Sequence, residues 1–152
     1  EGTKTTGLII SILLIQLIAI IGAMFTAKIS KKIGNIRTLL ILNLIWAFLC
    51  IGAYFIKEPI EFYIAAGAVG LVMGGIQALS RSTFSKLIPD TDNTTSYFSF
   101  FDVSQKVSIV LGMTLFAILD QTTGSMRISI LIFVLIFLIG AFLLNKIKIK
   151  NV

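Results

Sequence analysis

Four stretches of this chain, residues 8–27, 38–56, 62–80 and 128–145, each run for 18 to 20 residues without one charged side chain. No other feature confines the fold as tightly. The hydrocarbon core of a bilayer is about 30 Å thick, and about 20 apolar residues of helix cross it. In that medium every backbone N–H and C=O must be satisfied internally, so such runs become helices. A fifth stretch, residues 97–119, is long enough but carries Asp102 and Lys106. It is read as a span because residues 107–119 are uncharged and the two charges, four apart, share one helix face. The expected fold is therefore all-α and integral to the membrane, with five transmembrane helices.

Composition removes the alternatives. Charged residues make up 13% of the chain and hydrophobic ones 57%, whereas a soluble domain is about 25% charged. A water-soluble globule is excluded, and so is a disordered chain, which would be poor in apolar residues. The first run is too long for the apolar core of a signal peptide. The chain opens on Glu1 rather than Met and is expected to be processed or incomplete. It has no His and one Cys, Cys50. A zinc site or a thiolate–imidazole pair in its usual form is thereby excluded, and Cys50 reads as packing. A membrane enzyme would need a clustered polar site, and the spans hold no carboxylate pair. Ser80, Ser82 and Ser85 have no nearby base to activate them. No metal, cofactor or nucleic-acid partner is expected; the lipid bilayer is the partner.

The net charge of +6 reads as a topology signal. Lys28, Lys31, Lys32, Arg37, Arg81, Lys86, Lys146, Lys148 and Lys150 fall on one side of the five spans, nine in all. Lys4, Lys57 and Arg127 fall on the other. Basic residues favour the cytoplasmic side, which places the N-terminus outside and the C-terminus in the cytoplasm. Tyr54, Phe55, Phe62 and Tyr63 then form an outer aromatic belt, and Tyr97, Phe98, Phe100 and Phe101 an inner one. Between spans three and four, residues 80–88 read as a short interfacial helix with Phe84, Leu87 and Ile88 on one face, stopped by Pro89. Asp90, Asp92, Asn93, Thr94, Thr95 and Ser96 supply cap candidates for span four.

Polar and small residues mark the spans that do more than cross. Spans two and five are nearly featureless and read as peripheral, lipid-facing helices. Span three is crowded by Gly67, Gly70, Gly74 and Gly75, with Gly70 and Gly74 in the GxxxG spacing of close helix packing. Close packing and a flexible, cavity-lining helix both account for it, and packing is the commoner use. Gln16 in span one and Asn43 in span two are amides in hydrocarbon and are expected to face other helices or a wet cavity. Asp102 and Lys106 form either a structural ion pair or an inner gate. Gln77 and Arg81 close span three at the same level, where Arg81 is either a positive-inside anchor or a partner for Asp102. Asp102, Lys106, Arg81 and Gln77 are the candidate gating or coupling residues. Gln16, Gly70 and Gly74 are the candidates for cavity lining or helix packing.

The stretch Gly74-Gly75-Ile76-Gln77-Ala78-Leu79-Ser80-Arg81-Ser82, followed by Lys86-Leu87-Ile88-Pro89 and by Tyr97-Phe98-Ser99-Phe100-Phe101-Asp102-Val103-Ser104-Gln105-Lys106, resembles the C-terminal half of the vacuole-effluxer-like branch of the major facilitator superfamily. The similarity runs on to Gly124-Ser125-Met126-Arg127. The superfamily's loop motif is matched by Lys32, Gly34 and Arg37, with Ala27 in place of its glycine and Lys31 in place of its acid. The resemblance implies that the five spans correspond to helices eight to twelve of a twelve-helix transporter, and that the missing N-terminal helices are partners. It implies efflux of a small solute, amino acids or related metabolites among them, by alternating access across a cell membrane. If the transporter draws on an ion gradient, Asp102 is the acid here suited to proton coupling. The rival reading is a small stand-alone membrane interaction module that uses the Gly70/Gly74 face.

Overall fold

The computed structural model describes residues 2–90 and 93–147, without the side chains of residues 2–8 and 11. Of the expectations above, the Asp92 cap candidate, Lys148, Lys150 and the side chain of Lys4 lie outside the described residues. Five helices follow one another: α1 (Gly2–Ile33), α2 (Asn35–Phe55), α3 (Pro59–Leu87), α4 (Thr94–Thr123) and α5 (Met126–Lys146). All five are long and apolar enough to cross a membrane. There is no strand among the described residues.

The ends of the helices follow from local chemistry. Gly34 separates α1 from α2 at φ 91°, a backbone angle that L side chains rarely adopt. Its amide donates to the Ser30 carbonyl at 2.9 Å, and the Thr38 hydroxyl donates back to the Gly34 carbonyl at 2.8 Å. Pro59 opens α3, where its missing N–H costs nothing. The Glu61 carboxylate accepts from the Lys57 and Glu58 amides at 2.8 and 3.2 Å. Those two donors hold its carboxyl below the usual carboxylate range. Gly124, in the left-handed region at φ 62°, ends α4 by donating to the Asp120 carbonyl at 2.9 Å.

Helix α3 runs unbroken through residues 80–87, so the expected separate interfacial helix is part of α3. Nothing between Ser80 and Leu87 interrupts its hydrogen bonding, and it stops only at Ile88, the residue held extended before Pro89.

The fold is built on the crossing of α1 and α3. Lipid gives helices no hydrophobic reason to associate, so close approach of small residues must supply it. A Cβ on Gly74 would collide with the Ala19 carbonyl, and one on Gly22 with the Leu71 carbonyl. A Cβ on Gly70 would stand 2.8 Å from the Ile15 oxygen, and one on Gly75 would strike the Thr26 hydroxyl. Residue numbers rise together on both sides of this contact, so α1 and α3 run in the same direction. Gly70 and Gly74 are packing residues, as their spacing predicts; Gly22 completes the contact from α1.

On the other side of α3 lies α2. Leu39 and Leu42 of α2 and Val72 and Leu79 of α3 form the buried core, with Trp46, Leu49, Ile76 and Leu144 against it. Helix α5 runs antiparallel to α2. The Asn43 amide donates to the Phe137 carbonyl at 2.6 Å, and the Trp46 and Phe137 rings stack at 5.7 Å. At the end away from most of the lysines, Arg127 donates to the Ile56 carbonyl at 2.8 Å. Helix α2 is therefore not lipid-facing all round: Thr38, Leu39, Leu42, Ala47 and Cys50 are buried. Its featureless sequence hid this, because apolar side chains serve protein and lipid contact alike.

Helix α4 is the exception. It has no buried residue among those described and lies closely along α5 only.

Replacing Gly74 by Val forces the α1 and α3 backbones apart. In the full-length protein this is expected to cost about 3 kcal/mol or more, read as a lowered melting temperature in detergent. Gly52→Val, where a Cβ meets nothing within 4 Å, is expected to leave melting nearly unchanged.

Candidate functional site

The charged residues predicted to matter converge at the basic end of the α3–α4 pair. The last two turns of α3 present Arg81 and Phe84; the first two of α4 present Phe98, Phe101 and Asp102. An Arg81 guanidinium nitrogen lies 3.5 Å from an Asp102 carboxylate oxygen. The guanidinium carbon also sits 5.6 Å from the centre of the Phe98 ring. Below this pair the Phe84 ring stacks on Phe101 at 4.8 Å and meets Phe98 edge-on at 6.0 Å. One ion pair and three rings thus close α3 onto α4.

This arrangement decides among the partners open to Asp102. Asp102 pairs with Arg81 across helices, and no ion pair to Lys106 forms among the described residues. Lys106 stands one turn further along α4, about 6 Å deeper at 1.5 Å per residue. It is exposed and has no hydrogen-bond or ion-pair partner among the described residues. Gln77, two turns above Phe84 on the same face of α3, is also exposed. A lone cation in the middle of a bilayer costs at least about 2.5–3.5 kcal/mol, a cost that covering protein, water or snorkelling of the Lys106 side chain to the interface reduces.

The aromatics expected at one inner belt divide. Tyr97 and Phe100 are exposed, as belt residues should be, while Phe98 and Phe101 turn inward to Phe84. Aromatic composition alone could not separate them, since Tyr97 and Phe100 share the i, i+3 spacing of Phe98 and Phe101; the i, i+4 relation of Phe98 to Asp102 is the signal that could have.

Two amides are sorted as well. Asn43 makes the α2–α5 hydrogen bond described above and is structural. Gln16 was expected to meet another helix or a cavity; it is exposed on α1, and no hydrogen bond reaches it among the described residues. It stands one position round from Ile15, which faces Gly70, and that step of about 100° turns it away from α3.

Sequence reasoning missed Asn35. Its side-chain amide donates to the Thr83 hydroxyl at 3.2 Å, and its carbonyl oxygen accepts from Lys86 at 3.4 Å. These bonds tie the α1–α2 turn to the end of α3. Lys31, at the acid position of the superfamily loop motif, is exposed and forms no ion pair among the described residues.

Above the charged cluster, α2, α3, α4 and α5 border an open apolar groove of about 620 Å³, lined among others by Trp46, Cys50, Val69, Met113, Phe116 and Phe133. Cys50 is the one titratable side chain among its lining residues. No group of three metal-ligating side chains occurs among the described residues.

Comparison with known proteins gives a consistent result. The family described as vacuole effluxer Atg22-like matches residues 2–151. The uncharacterized MFS-type transporter YxiO of Bacillus subtilis is 29% identical over 143 residues, 94% of this chain and 33% of that protein. Autophagy-related protein 22 of Eremothecium gossypii is 33% identical over 137 residues, 83% of this chain and 27% of that protein. Its counterpart in Vanderwaltozyma polyspora is 34% identical over 147 residues. The chain spans about a third or less of these relatives' length. No solved structure matches it.

Both members of the Arg81–Asp102 pair are about half exposed. Solvent screening therefore limits their coupling to under about 1 kcal/mol. A double-mutant cycle with Arg81→Gln and Asp102→Asn, read by thermal unfolding of the full-length protein, is expected to return a value in that range. Phe84→Ala, which removes two ring contacts worth about 0.5–1.5 kcal/mol each, is expected to destabilise more than either.

Proposed function

The chain belongs to the vacuole effluxer Atg22-like family of multi-pass membrane proteins, and from that premise we propose that it forms helices eight to twelve of a twelve-helix secondary transporter. The transporter moves a small solute across a cell membrane by alternating access, and the remaining helices of the parent supply the other wall of the path. The basic ends of the five helices face the cytoplasm.

One observation carries this reading: the least buried helix is also the one with an acid and a base within the membrane. Helices α1, α2, α3 and α5 are joined by glycine contacts, an apolar core and an amide bond. Helix α4 closes onto α3 chiefly through Arg81–Asp102 and the Phe84 cluster. A helix so held is free to part from α3 at its basic end. Opening there exposes Gln77, Arg81, Asp102 and Lys106 to the cytoplasm; closing seals the cavity behind the three rings. A proton fits the role of coupling ion, because neutralising Asp102 removes the charge that holds Arg81. Amino acids and related metabolites are the solute class that the resemblance implies. The reading as a small stand-alone interaction module is the weaker one: the Gly70/Gly74 face it would use is occupied by α1, and it gives the charges in α4 no role.

In proteoliposomes containing the full-length protein, Asp102→Asn and Lys106→Met are each expected to reduce solute flux at least tenfold. Wild-type flux in both would overturn the gating role. Orientation is checked separately in a variant lacking Cys50. A cysteine placed by Lys57→Cys is expected to react with an impermeant maleimide on intact cells, and one placed by Lys31→Cys only after permeabilisation.

A further inference from the structure

Within the helices themselves, the basic half of the α3–α4 pair holds one acid, Asp102, and three bases, Arg81, Lys86 and Lys106, while Asp90 lies exposed in the connector between them. Arg81 has Asp102 at 3.5 Å. Lys86 has the Asn35 carbonyl oxygen at 3.4 Å. Lys106 alone of the three is left over among the described residues. The cluster Arg81–Asp102–Lys106 therefore carries a net charge of +1 and has one ammonium to spare.

The direction in which Lys106 stands is set by helix geometry. Residues seven apart share a helix face. Met113 lies seven beyond Lys106, and Gly112 seven beyond Gln105; both line the apolar cavity. Lys106 and Gln105 thus occupy the stripe of α4 that borders the cavity, between the Arg81–Asp102 pair at one end and the cavity wall at the other. Gln105 and Ile109 on this stripe are nonetheless exposed, so the crevice between α3 and α4 is open at this level.

We infer that Lys106 is the counter-charge for an anionic group on the transported solute, with Gln105 and Gln77 beside it and the apolar cavity receiving the rest of the molecule. The inference rests on the transporter reading and gives it a solute class: a small amphipathic anion, with a carboxylate or phosphate head and an apolar body. An ammonium donates three hydrogen bonds and suits either head. The amides supply donors and acceptors without charge, and the cavity at about 620 Å³ has room for an aromatic or branched body. Asp102 keeps Arg81 from competing for the head group while the two helices are closed.

The test uses the full-length protein in lipid nanodiscs and three probes of one shape: phenylacetate, phenyl phosphate and the neutral phenylacetamide. Binding is read as a shift in thermal unfolding, which does not depend on transport. Phenylacetate or phenyl phosphate is expected to stabilise the wild type, the one that acts naming the head group, while phenylacetamide does not. Lys106→Gln is expected to weaken the anion's effect at least tenfold and Lys106→Arg to retain it. If phenylacetamide stabilises as well as the anions, if no anion stabilises the wild type, or if Lys106→Gln responds like wild type, the inference is overturned. A Lys106→Gln protein that fails to fold while no anion stabilises the wild type shows instead that the ammonium is held by the protein itself. Flux measured on the same protein in liposomes addresses the transport reading alone, so the two can fail separately.

Discussion

The backbone-to-backbone contact of α1 with α3 is the constraint on which the rest of the molecule hangs. In lipid the solvent is as apolar as the side chains, so a helix pair gains little from burial and must gain from proximity. Gly22, Gly70, Gly74 and Gly75 allow carbonyl oxygens of one helix to lie where a side chain of the other would begin. With α3 fixed on one face by this contact, its other face is presented to α2 through Val72 and Leu79. Helix α2 in turn carries α5 through Asn43 and Trp46. Of the five helices α4 is held least: it has no buried residue among those described and lies closely along α5 only.

The looser hold on α4 suits the gating role proposed for it. A gate must be closed by interactions small enough to be undone by a solute or a proton. The Arg81–Asp102 pair is half exposed and therefore modest, and the Phe84 cluster adds ring contacts of similar size. A difference of one or two kcal/mol changes a two-state ratio by about 5- to 30-fold, which is enough to bias a gate and too little to lock it. The glycine contact is of the opposite kind: it has no partly open form, because the two backbones either touch or must repack.

Much of this was legible in the sequence, and the failures are instructive. Uncharged runs of 18 to 20 residues located four of the five helices, and the charged run 97–119 was admitted as the other on its i, i+4 pair and the uncharged residues 107–119. The GxxxG spacing announced Gly70 and Gly74 as a packing face. Its partner Gly22 is a single glycine in an apolar run and carried no signal of its own. Spans two and five looked interchangeable, yet α2 supplies much of the core. The hydropathy of a transmembrane helix does not distinguish a side chain against protein from one against lipid. Asp102 stood out as an acid within a span, but choosing between Arg81 and Lys106 as its partner required knowing that α3 continues past Ser80 to carry Arg81 and Phe84 alongside α4. Asn35 escaped because a polar residue beside Gly34 reads as an ordinary turn.

The central claim is that α4 parts from α3 at the basic end while α1 and α3 stay together. The most direct measurement is a pair of distance distributions in the full-length protein in lipid, from spin labels on Ser82→Cys with Ser99→Cys across the α3–α4 cluster, and on Lys28→Cys with Ser85→Cys across α1 and α3. Adding a transported solute is expected to change the population of the first distribution and leave the second unmoved. A single α3–α4 distance that is the same with and without solute would contradict the account.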